Sequence, residues 1–197
     1  MPKKDTRNTR MKIVNAAWAL FYKYGYDNTT VEDIVYESRT SRGSFYHYFK
    51  GKDELLSTLS SVFDSKYEEL ENFLPQDSGA LGKLLFLNRE LFRHIENSVS
   101  MDLLARLYSS QLVSAGDRNL LDRSRTYYRL LRAIIIEGKE NGEFDPEIPA
   151  DEIVRAYAMC ERALISDWCL SNADYSLARE GETMLPRLLK GFTAEQK

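Results

Sequence analysis

Thr29-Thr30-Val31-Glu32-Asp33-Ile34, followed after Ser38-Arg39-Thr40 by Ser41-Arg42-Gly43-Ser44-Phe45-Tyr46-His47-Tyr48-Phe49, decides how this chain is read. Thr29 with Glu32, or Thr30 with Asp33, has the spacing of the reciprocal capping pair that opens a helix. That helix ends near Glu37 or Ser38, and Ser41 is placed to cap another through Phe49. Two short helices therefore meet at a tight turn.

Phe45 and Phe49 fall four apart on one face of the second of these helices, where they can pack on Val31, Ile34 and an Ile13/Leu20 stripe. The other face then carries Arg42, Gly43, Tyr46 and His47, with Ser44 to the side. An α-helix fits the DNA major groove, and in a helix-turn-helix the N-terminal half of the second helix meets base edges. Gly43 lets the groove wall come close, and Arg42 suits guanine edges or phosphate.

Working outward, residues 6–24 read as an amphipathic helix with Ile13, Ala17, Leu20 and Tyr24 on one stripe and Gly25 as a left-handed cap. Residues 52–74 read as one long helix ended by Pro75. Five more are expected at 79–96, 99–114, 119–141, 150–171 and 176–191. With no alternating strand pattern and no internal repeat, the fold class is all-α, with about nine helices.

A hydrophobic fraction of 43% with 29% charged residues is that of an ordinary globular chain. The longest apolar runs fall far short of the ~20 residues that span a bilayer, so no membrane association and a cytoplasmic location are expected. Residues 1–52 hold ten Lys/Arg against five Asp/Glu, a balance of +5, whereas the remainder carries −8. The first segment thus suits a polyanion. Cys160 and Cys169 lie nine apart in one expected helix, ~13 Å and on opposite faces, too far to bridge, and are expected to be buried thiols.

The quoted segment, extended to Lys52 and Leu55, closely resembles the DNA-binding signature of the TetR family of bacterial repressors. The resemblance implies a three-helix DNA-binding domain at 1–52 and a helical effector-binding and dimerisation domain at 53–197. It implies phosphate contacts for Thr29, Thr30, Tyr46 and Lys52, base-edge positions for Arg42, Gly43, Ser44 and His47, and a backbone contact for Tyr48. The family usually has Ala-Gly-Val or similar in the turn, where this chain has Ser38-Arg39-Thr40, so a non-glycine is expected in a left-handed conformation costing ~1–2 kcal/mol.

The helices at 150–171 and 176–191 offer Ile153, Tyr157, Cys160, Leu164, Trp168, Leu177, Met184, Leu185 and Leu188 to a four-helix homodimer interface or to an internal core. A dimer is expected because two recognition helices must sit ~34–36 Å apart to read a palindromic operator in double-stranded DNA. An unknown small-molecule effector is expected among Phe63, Tyr67, Phe86, His94, Met101, Leu104, Tyr108, Tyr127 and Trp168, most of which also suit plain packing. His94, Arg106 and Arg132 are candidates for setting ligand charge. An effector favouring one conformation weakens DNA binding by linkage, with the helix from Lys52 as lever.

No cofactor is expected, and no metal site, since the two histidines, His47 and His94, have no ligand-like spacing with cysteine or carboxylates. No paired catalytic carboxylates, nucleophile elbow or phosphate-cradling glycine loop points to an enzyme. The competing reading is an architectural or adaptor protein using the helix-turn-helix without effector control.

Overall fold

The backbone of residues 3–24 winds into α1 (Lys3–Tyr24) and stops where Gly25 takes φ 84°, a left-handed value that glycine adopts without strain. A computed structural model of the chain describes residues 3–113 and 118–194. Along it follow α2 (Val31–Ser38), α3 (Arg42–Tyr48), α4 (Lys52–Leu56), α5 (Leu59–Glu71), α6 (Gly79–Ser98), α7 (Met101–Val113), α8 (Thr126–Glu140), α9 (Ala150–Leu170) and α10 (Leu177–Leu189). Short 3-10 turns occupy Asn119–Leu121 and Lys190–Phe192. Among the described residues the only extended pairing is an isolated bridge between Phe144 and Thr193, so the chain is all-helical.

The long helix expected over 52–74 is divided. The hydroxyl of Thr58 donates to the Leu55 carbonyl at 2.6 Å, and its amide donates to the same oxygen at 3.0 Å, tightening the turn. Ser57 donates to Glu54 at 2.7 Å and Ser60 to Ser57 at 2.7 Å, so side-chain hydroxyls compete for carbonyls a regular helix would use. The lever expected to start at Lys52 is thus not one rod, and its second piece ends at Glu71, before Pro75.

The helix expected over 119–141 begins only at Thr126. The carboxylate of Asp122 accepts from the amide of Ser124 at 2.9 Å and from its hydroxyl at 2.7 Å, a local turn that competes with helix. The remaining elements agree with expectation to within a few residues, although residue 114 lies outside the described residues.

The chain forms two compact units: Met1–Ser60 with Asp102–Asn119, and Ser61–Met101 with Leu120–Lys197. In the first, α1 packs on α2 and α3 around Ile13, Ala17, Phe21, Ile34, Phe45 and Phe49. The buried face of α1 also takes Val14 and Trp18, while Leu20 is half-buried and Tyr24 is exposed, a rotation from the expected stripe. It follows from Trp18, whose indole must be sunk where its N–H finds the Thr58 hydroxyl at 2.8 Å.

In the second unit α6 packs on α8 and α10, and α9 on α8 and α10. Gly181 admits the close approach of α10 to α6, since a Cβ there would overlap the side chains of Asn88 and Phe92. The orphan amides at the start of α6 are capped from far along the chain, by Glu143 accepting from Ala80 at 2.8 Å and Leu81 at 3.2 Å. Ile153, Tyr157, Leu164, Trp168, Leu177 and Leu185 are consumed by this core, whereas Cys160 and Leu188 are half-buried and Met184 is exposed. Cys160 and Cys169 are free thiols and only half-buried, correcting the expectation of burial. No helix of the described residues is long and apolar enough to cross a membrane.

Candidate DNA-reading site

Of the two capping pairs open in the sequence, the structure uses Thr30 and Asp33. The Thr30 hydroxyl accepts from the Asp33 amide at 3.1 Å, and the Asp33 carboxylate accepts from the Thr30 amide at 2.8 Å. Those bonds from Thr30, side chain first and then backbone, hold the Asp33 carboxyl below its ordinary range.

At the end of α2, Arg39 takes φ 52°, ψ 41°, the left-handed non-glycine the sequence led us to expect. Its amide donates to Tyr36 at 3.1 Å and that of Thr40 to Val35 at 3.2 Å, closing the helix in a Schellman-type turn. Ser41 then caps α3, accepting from the Ser44 amide at 3.0 Å. Phe45 and Phe49, their rings 5.8 Å apart, are buried and fix which face of α3 points out.

That outer face carries Arg42, Gly43, Tyr46 and His47 exposed, with Ser44 and Tyr48 half-buried at its borders and Thr30 exposed nearby. Arg42 pairs with Glu32 at 3.2 Å and lies 5.8 Å from the Tyr46 ring centre. With side chains 69% and 61% exposed, that ion pair is worth at most ~1 kcal/mol and holds Arg42 loosely. A Cβ on Gly43 would come no nearer than 3.8 Å to Ser41, so packing within the chain does not demand glycine there.

Two of the nine expected residues face inward. Thr29 is 1% exposed and its hydroxyl donates to the Gly25 carbonyl at 2.8 Å. The Lys52 ammonium donates to the carbonyls of Tyr26 at 2.7 Å and Thr29 at 3.0 Å. Both tie down the loop before α2.

Sequence reasoning missed the centre of that arrangement, Tyr26. Its buried ring carries the Lys52 ammonium at 4.2 Å and the Arg106 guanidinium at 5.0 Å, and its hydroxyl donates to Asp53. Burial, then the bond to Asp53, raise the Tyr26 hydroxyl pKa. Arg106 also binds Asp27 at 2.5 Å and Asp102 at 2.9 Å. No local signal announces a pairing of residues 79 apart. Tyr36, 86% exposed, and Arg39 were also missed, although they border a shallow groove of about 400 Å3 with Arg42.

Of the aromatic set, Phe63, Tyr67, Tyr127 and Trp168 are buried and Phe86, His94 and Met101 half-buried in the second unit; Leu104 and Tyr108 lie on α7 in the first. Tyr67 and Tyr127 are brought together, ring centres 5.0 Å apart. Burial and then nearby Lys66 press the His94 imidazole toward its neutral form. A residue that sequence reasoning passed over joins the pair: Glu161 is 3% exposed and accepts from Tyr127 at 2.7 Å and Asn88 at 2.7 Å. Its signal was a lone acid inside the apolar Tyr157/Leu164 stripe.

Residues 13–59 match the model of the bacterial regulatory proteins of the tetR family. Over 208 residues the chain is 26% identical to the HTH-type transcriptional regulator AcrR of Shigella flexneri, covering 96% of this chain and 92% of that one. It is 27% identical over 143 residues to the HTH-type transcriptional regulator QacR of Staphylococcus aureus, covering 70% and 74%. Its fold is similar to that of FadR from Thermus thermophilus, a TetR-family repressor solved with lauroyl-CoA, with TM-score 0.75 and 23% identity over 95% of this chain and 97% of that one. The segment that presents α3 is thus similar to the DNA-binding domain of the tetR family of bacterial regulatory proteins.

Proposed function

We propose that this protein is a sequence-specific transcriptional repressor that grips a palindromic operator as a homodimer in the cytoplasm and is released by a small-molecule effector. The observation that carries the reading is the division of α3, with Phe45 and Phe49 buried and Arg42, Gly43, Tyr46 and His47 exposed on a helix capped by Ser41. Such a helix offers donors and a close backbone to a major groove. Thr30 and Tyr48 at its borders suit phosphates.

The dimer reading is supported by an apolar groove of about 330 Å3 between α9 and α10, bordered by Cys160, Ala163, Leu164 and Met184 with Asp167 and Glu180 at its rim. Effector control is supported by relatedness to named regulators and by a fold neighbour that holds lauroyl-CoA.

Selection of bound fragments from a random DNA pool tests the reading. An inverted repeat with half-sites about 34–36 Å apart is the expected product. Salt-sensitive binding without sequence preference would instead establish the architectural alternative.

A further inference from the structure

A groove of about 540 Å3 runs between α8 and α9 in the second unit, with Leu121 at its edge. Five of its eleven lining residues are arginines and one, Asp151, is an acid. Arg132, a candidate for setting ligand charge, lines it, and so does the aromatic Tyr128.

The acids nearby leave this positive charge incompletely neutralised. Arg129 is engaged by Glu71 through two bonds, at 3.0 and 2.8 Å. Arg123 and Arg132 share Asp151, at 3.9 and 3.3 Å. Arg155 and Arg162 form no ion pair with the described residues, and Arg162 only donates to the Tyr128 hydroxyl at 3.3 Å. Guanidinium groups lining one groove repel one another, and an anion with several oxygens relieves that repulsion through forked hydrogen bonds.

Carbon surface lies among the charges. Val154 and Ala158 are buried along α9, while Leu121 and Met159 remain 49% and 52% exposed at the groove. A volume in the range of about 300–1,000 Å3 is typical of small-molecule sites.

We infer that this groove binds a small amphiphile whose dianionic, phosphate-type head sits between Arg155 and Arg162 and whose apolar part covers Leu121 and Met159. The inference concerns binding alone and stands whether or not α3 reads DNA.

Isothermal titration of the full-length protein with decyl phosphate, below its micelle concentration, tests it, with decanol as the uncharged partner. Decyl phosphate is expected to bind more tightly than decanol and to weaken at high salt. The double variant Arg155→Gln/Arg162→Gln is expected to lose about tenfold or more in affinity, as charge-assisted bonds of this kind imply. Its melting temperature is expected to stay at the wild-type value. The control variant Arg93→Gln/Arg179→Gln, which removes two arginines elsewhere in the same unit, is expected to bind as wild type. Equal affinity for decanol, no binding of decyl phosphate, or equal losses in both double variants would overturn the site.

Discussion

The ammonium of Lys52 lies 4.2 Å from the centre of the Tyr26 ring and donates to the carbonyl oxygen of that same residue at 2.7 Å. One side chain thus holds ring and backbone of the loop before α2, with its second bond to Thr29 at 3.0 Å. The loop in turn sets where Thr30 starts α2.

Lys52→Ala is therefore expected to destabilise the protein by about 1–3 kcal/mol, from lost charge-assisted bonds and a cation–π contact. Urea unfolding checks this. Unchanged stability with uniformly weaker binding to every DNA sequence would return Lys52 to the role of a phosphate contact.

Arg42→Ala is expected to behave in the opposite way. Its exposed pair with Glu32 adds little to the fold, so stability should stay within about 0.5 kcal/mol of wild type. Affinity for a selected operator should fall by about 1–3 kcal/mol, if measured against random DNA of equal length, because a bidentate base contact is lost. Equal losses on both DNAs would show that Arg42 does not read bases.

Arg39→Gly tests the strain at φ 52°. Relief of about 1–2 kcal/mol in the folded state is partly offset by the greater freedom of glycine in the unfolded chain. A net rise in melting temperature is expected, and a fall would show that the Arg39 side chain stabilises the fold by more than its backbone costs.

Glu161→Gln tests the buried acid. Burial raises the Glu161 pKa above its ordinary 4.5, against bonds from Asn88, Tyr127 and Tyr157 that pull it down. A carboxyl raised in the fold contributes stability that is full below pH 4.5 and is lost as pH rises through its folded value. The stability of wild type relative to the variant should therefore shrink as pH increases, and a difference constant with pH in urea unfolding would contradict it.

The sequence by itself determined what depends on near neighbours. Caps need an oxygen three residues from an amide, so Ser41 and the start of α2 were legible, and Phe45 with Phe49, four apart, settled which side of α3 is buried. Even the left-handed residue after α2 could be foreseen, from the absence of glycine at 38–40. Tertiary structure decided the rest, because burial depends on partners far along the chain. The indole of Trp18 needs a hydroxyl forty residues away, which turned α1 on its axis and left Tyr24 outside. Lys52 and Thr29 have the chemistry of phosphate contacts, and only the fold showed their polar atoms already committed to carbonyls of the chain itself. Arginines from α8, α9 and the preceding turn became a single groove in the same way, since nothing in their spacing announces that α8 and α9 pack side by side.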